Sequence, residues 1–130
     1  MRVLFLMFLL HIIDDFVLQP VCLSKLKQKS FWDSLSNTTN DLYKNDYKMA
    51  LFIHGLSWSI MIHIPIFLFC DYVSDIVFII SVFGWGLLHS YIDNMKANEK
   101  IISLVMDQTL HFIQIIGLYI GYLLIQNIYC

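Results

Sequence analysis

The sequence predicts an all-α, polytopic membrane protein: four transmembrane helices in an up-and-down bundle. Three observations lead there. Of 130 residues, 58% are hydrophobic and only 14% charged. The mean hydropathy is +0.69, well above that of an ordinary soluble domain. The apolar residues gather in four runs, about 1–23, 49–69, 76–95 and 101–128, each near the twenty residues a helix needs to cross the hydrocarbon. A lysine-rich polar loop, 24–48, separates the first two, and short connections join the rest, so the chain reads as a single domain of antiparallel neighbours.

The first run opens Met-Arg and continues through Leu, Phe, Met and Ile, interrupted by His11, Asp14, Asp15 and Gln19. Two aspartates inside the apolar core, and no small-x-small cleavage site after it, argue for a retained helix over a signal peptide. His11, Asp15 and Gln19 form one stripe, and Pro20 marks or kinks its last turns. In the loop, Lys25, Lys27, Lys29, Lys44 and Lys48 alternate with polar residues, while Phe31, Trp32, Tyr43 and Tyr47 suit the headgroup region. A short interfacial helix and little other regular structure are expected there. Asn37-Thr38-Thr39 matches the glycosylation sequon and reads as a chance match.

The second run carries His54, Trp58 and His63. After Asp71, Tyr72, Ser74 and Asp75, the third ends in His89, Asp93 and Lys96, and the fourth contains Asp107, Gln108, His111 and Gln114. Five lysines in the first loop, with Lys96 and Lys100 in the third, lie on one side of a four-span chain. The positive-inside rule makes that side cytoplasmic, with both termini outward, as in a bacterial inner membrane.

Composition excludes some classes. A net charge of −2 with no basic surface argues against nucleic-acid binding. Cys22, Cys70 and Cys130 share no CxxC or CxxH spacing, so neither a disulfide scaffold nor a thiolate zinc site is expected.

Three His–Asp pairs four residues apart dominate what remains: His11 with Asp15, His89 with Asp93, and Asp107 with His111. That spacing places both members on one helical face. Ionisable groups inside a span are costly, roughly 2.5–3.5 kcal/mol each on insertion scales. Counted from the span ends, Asp15, His54, His89 and Asp107 all fall about 7–12 Å below the lysine-bearing boundary, so four helices of alternating direction can bring them to one level. His63 lies half a turn and several residues away and is expected to be a packed histidine.

Three or four buried carboxylates must be protonated, paired with cations or neutralised by a metal ion. Lys96, one turn from Asp93, offsets one. Imidazole with carboxylate suits a divalent ion such as zinc, manganese or iron, and His11, Asp15, His54, His89, Asp93, Asp107 and His111 are the candidate ligands. A hydrogen-bonded structural network and a proton or ion pathway are the alternatives. Gln19 and the stripe Ser103, Asp107, His111, Gln114 read as support for such a site, Gly117-x-x-x-Gly121 as a close-packing signal, and Trp58 and Trp85 as packing groups.

With these residues placed, the chain resembles the bacterial and phage membrane proteins grouped as domain of unknown function 3307. The resemblance rests on His11-x-x-x-Asp15-Phe16-x-Leu18-Gln19, the lysine-rich loop, His54, His89-x-x-x-Asp93-x-x-Lys96 and Asp107-Gln108-x-x-His111. The chain departs at Trp58, where a second histidine often follows the first by four residues, and Asp14 is an addition. A looser similarity runs to proteins described as membrane-bound metal-dependent hydrolases.

Three functions compete. One is a metal-dependent hydrolase near the cytoplasmic leaflet, with Asp15 or Asp93 as general base on a metal-bound water, Lys96 on a substrate phosphate or carboxylate, and a lipid-like substrate. Another is a small membrane protein whose polar core specifies packing in a host-interaction role. The third is a proton- or ion-conducting subunit, which would be homo-oligomeric because four helices enclose little space.

Overall fold

The computed structural model describes residues 1–35, 43–69 and 74–129, and every regular element among them is helical. Helix α1 runs Arg2–Ile13 and passes into a π-helical turn, Asp14–Leu18. Two short helices follow, α2 (Val21–Leu26) and α3 (Lys29–Leu35), and then α4 (Asp46–Phe69). Helix α5 (Asp75–Asn94) also ends in a π-helical turn, Met95–Glu99, before α6 (Leu104–Tyr129) closes the chain. Three helical stretches, Asp46–Phe69, Asp75–Glu99 and Leu104–Asn127, are long and apolar enough to cross a membrane.

The first apolar run is the exception. Its helix stops at Leu18, because Gln19 turns extended ahead of Pro20, which disfavours helical backbone in the residue before it. From Arg2 to Leu18 the chain rises about 25 Å, short of the ~30 Å hydrocarbon thickness. The expected span to residue 23 is therefore a helix, a break and a separate α2.

The loop is more ordered than its composition implied. Trp32 donates its indole N–H to Leu26 O (2.8 Å) and stacks on Tyr43. Asn98 accepts from Lys29 N–H at 2.6 Å and donates to Lys27 O at 3.0 Å, clasping α2 and α3 to the turn after α5. The sequon at 37–39, Cys70 and Cys130 fall outside the described residues; Cys22 is exposed on α2.

Caps account for the starts of the later helices. Asp46 and Asp75 place negative charge in their first turns, where the helix dipole favours it. Ser103 Oγ accepts from Met106 N–H at 3.3 Å, capping α6.

Four helices form a ring in which α1 touches α4 and α6, and α5 touches the same two. The contacts run in opposite senses. Asp14 meets Ser57 while His11 meets Trp58, and His54 meets His89 while Phe67 meets Phe78. Lys96 meets Asp107 while His89 meets His111, and Met1 reaches Tyr119 while Asp15 meets Gln108. Each neighbour is therefore antiparallel, the up-and-down arrangement expected. The closest approach lies between α4 and α5: a Cβ on Gly55 would stand 2.4 Å from Gly86 O and 2.1 Å from Ser90 Oγ. Of Gly117-x-x-x-Gly121, only Gly117 packs closely, a Cβ there standing 3.3 Å from Trp85 Cη2, whereas a Cβ on Gly121 meets nothing within 4 Å.

Polarity is distributed inside out. His11, His54, His89, His111, Asp93 and Asp107 are buried, whereas Phe5, Phe67, Ile76, Ile80 and Val105 are exposed. Apolar side chains facing outward on every helix fit a lipid surrounding. An apolar core of Met7, Trp58, Ile62, Ile66, Ile115, Leu118 and Tyr122 fills the other half of the bundle.

Candidate metal centre

Each pair four residues apart projects from a single helix face, and the ring turns those faces inward. The π-helical turn after α1 inserts one residue into the helical register, and Asp14 and Asp15 both face α4. The turn after α5 acts likewise at the same end of the bundle and brings Lys96 to Asp107.

At the centre, His54 Nε2 lies 3.3 Å from His89 Nε2, 3.4 Å from Asp93 Oδ2 and 3.5 Å from Asp15 Oδ1. His89 Nε2 is 3.8 Å from Asp93 Oδ1. His111 Nε2 stands 3.4 Å from both Asp93 Oδ1 and Asp107 Oδ1. Two groups result, Asp15–His54–His89 and His89–Asp93–His111, each with ligand atoms within 4.8 Å of one another. Ligands held about 2.0–2.2 Å from one ion stand roughly 3–3.6 Å from each other. The nearest pairs, at 3.3–3.5 Å, are of that size.

Tautomers sharpen the picture. His111 Nδ1 lies 3.0 Å from Gln114 Oε1, an acceptor that calls for a proton on Nδ1, and Nε2 faces two carboxylate oxygens. A second proton on the ring or a metal ion supplies the positive charge that this meeting of nitrogen and carboxylates needs. His111 Nε2, Asp15 Oδ1 and Asp107 Oδ1 are all buried without a hydrogen-bond partner among the described residues. Such orphans cost free energy unless something compensates them.

His11 stands differently. Its Nδ1 accepts from the Trp58 indole N–H at 2.7 Å, leaving Nε2 to donate to Gln108 Oε1 at 3.1 Å. Both ring nitrogens are engaged, so His11 borders the two ligand groups instead of joining them. Trp58 also stacks on His89, ring centroids 4.1 Å apart. It packs, as expected, and in doing so it fixes two of the imidazoles.

Two cations enter the cluster. Lys27 Nζ donates to Asp93 Oδ2 at 2.5 Å and Lys96 Nζ to Asp107 Oδ2 at 2.5 Å. The expected pairing of Lys96 with Asp93 is thus replaced: the π turn swings Lys96 to α6, and Lys27 from the loop takes Asp93. Lys27 went unrecognised because its position depends on the Asn98 clasp, which no local pattern shows. Asp14 accepts from Ser57 at 3.0 Å and lies 3.9 Å from His54 Nδ1. Gln108 donates to Asp15 Oδ2 and Asp107 Oδ2, each at 3.2 Å, a supporting role read for other glutamines. His63 lies apart, bonded to Ser59 O (2.7 Å) and Ser81 Oγ (2.9 Å), as expected of a packed histidine.

Comparison with models of known families, with curated proteins and with solved structures finds no match to this chain.

Proposed function

We propose that the chain crosses the membrane four times, with its lysine-bearing end cytoplasmic, and holds a divalent metal ion in the His–Asp cluster for hydrolytic chemistry. One observation carries the metal: Nε2 atoms of His54, His89 and His111 converge with oxygens of Asp15, Asp93 and Asp107, and His111 Nε2, Asp15 Oδ1 and Asp107 Oδ1 have no hydrogen-bond partner among the described residues. Charge supports it. Asp14, Asp15, Asp93 and Asp107 against Lys27 and Lys96 leave two negative charges if the histidines are neutral, and one divalent ion cancels them. Nitrogen and carboxylate donors without thiolate suit zinc, manganese or iron(II).

His54, His89, His111 and Asp93 would hold the ion. A bound metal lowers the pKa of its water towards neutrality. Asp15 Oδ1, orphaned and 3.5 Å from His54 Nε2, would be the carboxylate that holds a proton beside the ion.

The two lysine–carboxylate pairs favour a second reading, a polar core that serves packing alone. Elemental analysis of protein purified in detergent separates the two. The metal reading expects one equivalent of a transition metal, lost in Asp93→Asn. Metal-free protein that binds no added zinc or manganese, with Asp93→Asn changing stability only, would establish the structural reading instead.

A further inference from the structure

Beside the cluster, at the lysine-bearing end, lies a polar cavity of about 350 Å³ lined by Gln19, Ser24, Lys27, Gln28, Asp93 and Lys96 with Ala97. Among the described residues Asp93 is the one carboxylate on its wall, and it is already engaged by Lys27. Every other polar group there, two ammoniums, two amides and a hydroxyl, can donate. The chain thus builds a donor-lined chamber directly against its candidate metal ligands.

We propose that this cavity binds the phosphate group of a phosphate monoester, held by Lys27 and Lys96, and that anion and divalent cation bind cooperatively. The inference rests on the metal reading above. Each ammonium sits 2.5 Å from a carboxylate oxygen that the cation would also attract: Lys27 on Asp93 Oδ2 and Lys96 on Asp107 Oδ2. An ion among Asp93, His89 and His111 takes over the neutralisation of those carboxylates and repels both ammoniums. Lysine stems are long and flexible, and both already line the same chamber. The displaced ammoniums then face a cavity whose other described lining groups, Gln19, Ser24 and Gln28, carry no charge, so an incoming anion is their natural partner. A phosphate dianion satisfies two ammoniums at once and is drawn by the metal too. The chamber is within the size range of small-molecule sites and exceeds a bare phosphate, leaving room for the group that carries it.

The test uses the full chain in maltoside micelles, with Mn²⁺ binding followed by electron paramagnetic resonance. Inorganic phosphate and a short-chain phosphatidic acid are added in separate arms. At least one anion should tighten Mn²⁺ binding by roughly fivefold or more. A lipid-borne phosphate is indicated if phosphatidic acid acts at much lower concentration than inorganic phosphate, a soluble one if the two act alike. In Lys27→Gln/Lys96→Gln, Mn²⁺ alone should bind more tightly, because no ammonium competes, and the anion effect should vanish. Should that variant not fold, Gln28→Glu on the exposed rim should cut the anion effect without touching a Lys–Asp pair. Mn²⁺ affinity indifferent to both anions, or coupling that survives these variants, overturns the phosphate site and leaves the metal centre standing. No Mn²⁺ binding in any arm overturns the metal centre, and the phosphate site falls with it.

Discussion

The Nε2 atoms of His54 and His89 stand 3.3 Å apart because α4 and α5 make their closest approach one residue from the first and three from the second, at Gly55 and Gly86. A polar contact deep in an apolar bundle is thereby set by two residues with no side chain.

Gly55→Ala should therefore damage site and fold together. Its Cβ would meet the Gly86 carbonyl at 2.4 Å, backbone that cannot move aside cheaply. A loss of roughly 1–3 kcal/mol or more is expected, read as a lower denaturation temperature in detergent, along with weaker Zn²⁺ binding. Gly121→Ala, with open space around its Cβ, should be neutral or slightly stabilising. Equal effects from the two would refute the close-approach account.

Gln114 orients His111 through Nδ1 at 3.0 Å. Gln114→Leu should weaken metal binding about 10–100-fold, the usual effect of removing a partner that orients a ligand. Gln114→Glu, which keeps an acceptor, should retain most of it. Zn²⁺ titration against a competing chelator measures both.

Lys27 and Asp93 are both buried. In chelator-treated protein, Lys27→Met should cost about 3–5 kcal/mol by stranding the carboxylate, whereas Lys27→Met/Asp93→Leu should recover most of it. Added Zn²⁺ should rescue the single variant, since the ion replaces the lost ammonium, and leave the double variant unaffected. Thermal unfolding with and without Zn²⁺ gives the four values needed.

Trp58 joins His11 to His89, donating to one and stacking on the other. Trp58→Phe keeps a ring over His89 but frees His11 Nδ1. A stability loss of about 1–3 kcal/mol is expected from the unpartnered buried nitrogen, with metal binding retained. Loss of the metal would instead show that Trp58 positions the ligands as well as packing against them.

Much of this architecture was legible in the sequence. The apolar runs indicated the helices of the ring, and the spacing of His89 with Asp93 and of Asp107 with His111 put each pair on one inward face. Counting from span ends placed His54 level with Asp15, and the structure brings them within 3.5 Å. What could not be read has a common cause. The π-helical turns at Asp14–Leu18 and Met95–Glu99 depend on tertiary packing, and they redirect Asp14 and Lys96 away from regular helical positions. Lys27 reaches Asp93 only because Asn98 fastens a loop from a distant part of the chain. Gly55 and Gly86 lie on different helices and form no repeat, whereas Gly117 and Gly121 form the familiar pattern with only Gly117 in close contact, against the Trp85 side chain.

Anomalous diffraction from crystals soaked in Zn²⁺, with data at the zinc absorption edge, tests the central claim most directly. A peak bonded to Nε2 of at least two of His54, His89 and His111 and to an Asp93 oxygen, at about 2.0–2.2 Å, is the predicted result. Zinc found only on surface carboxylates, with Lys27 and Lys96 still seated on Asp93 and Asp107, would contradict it.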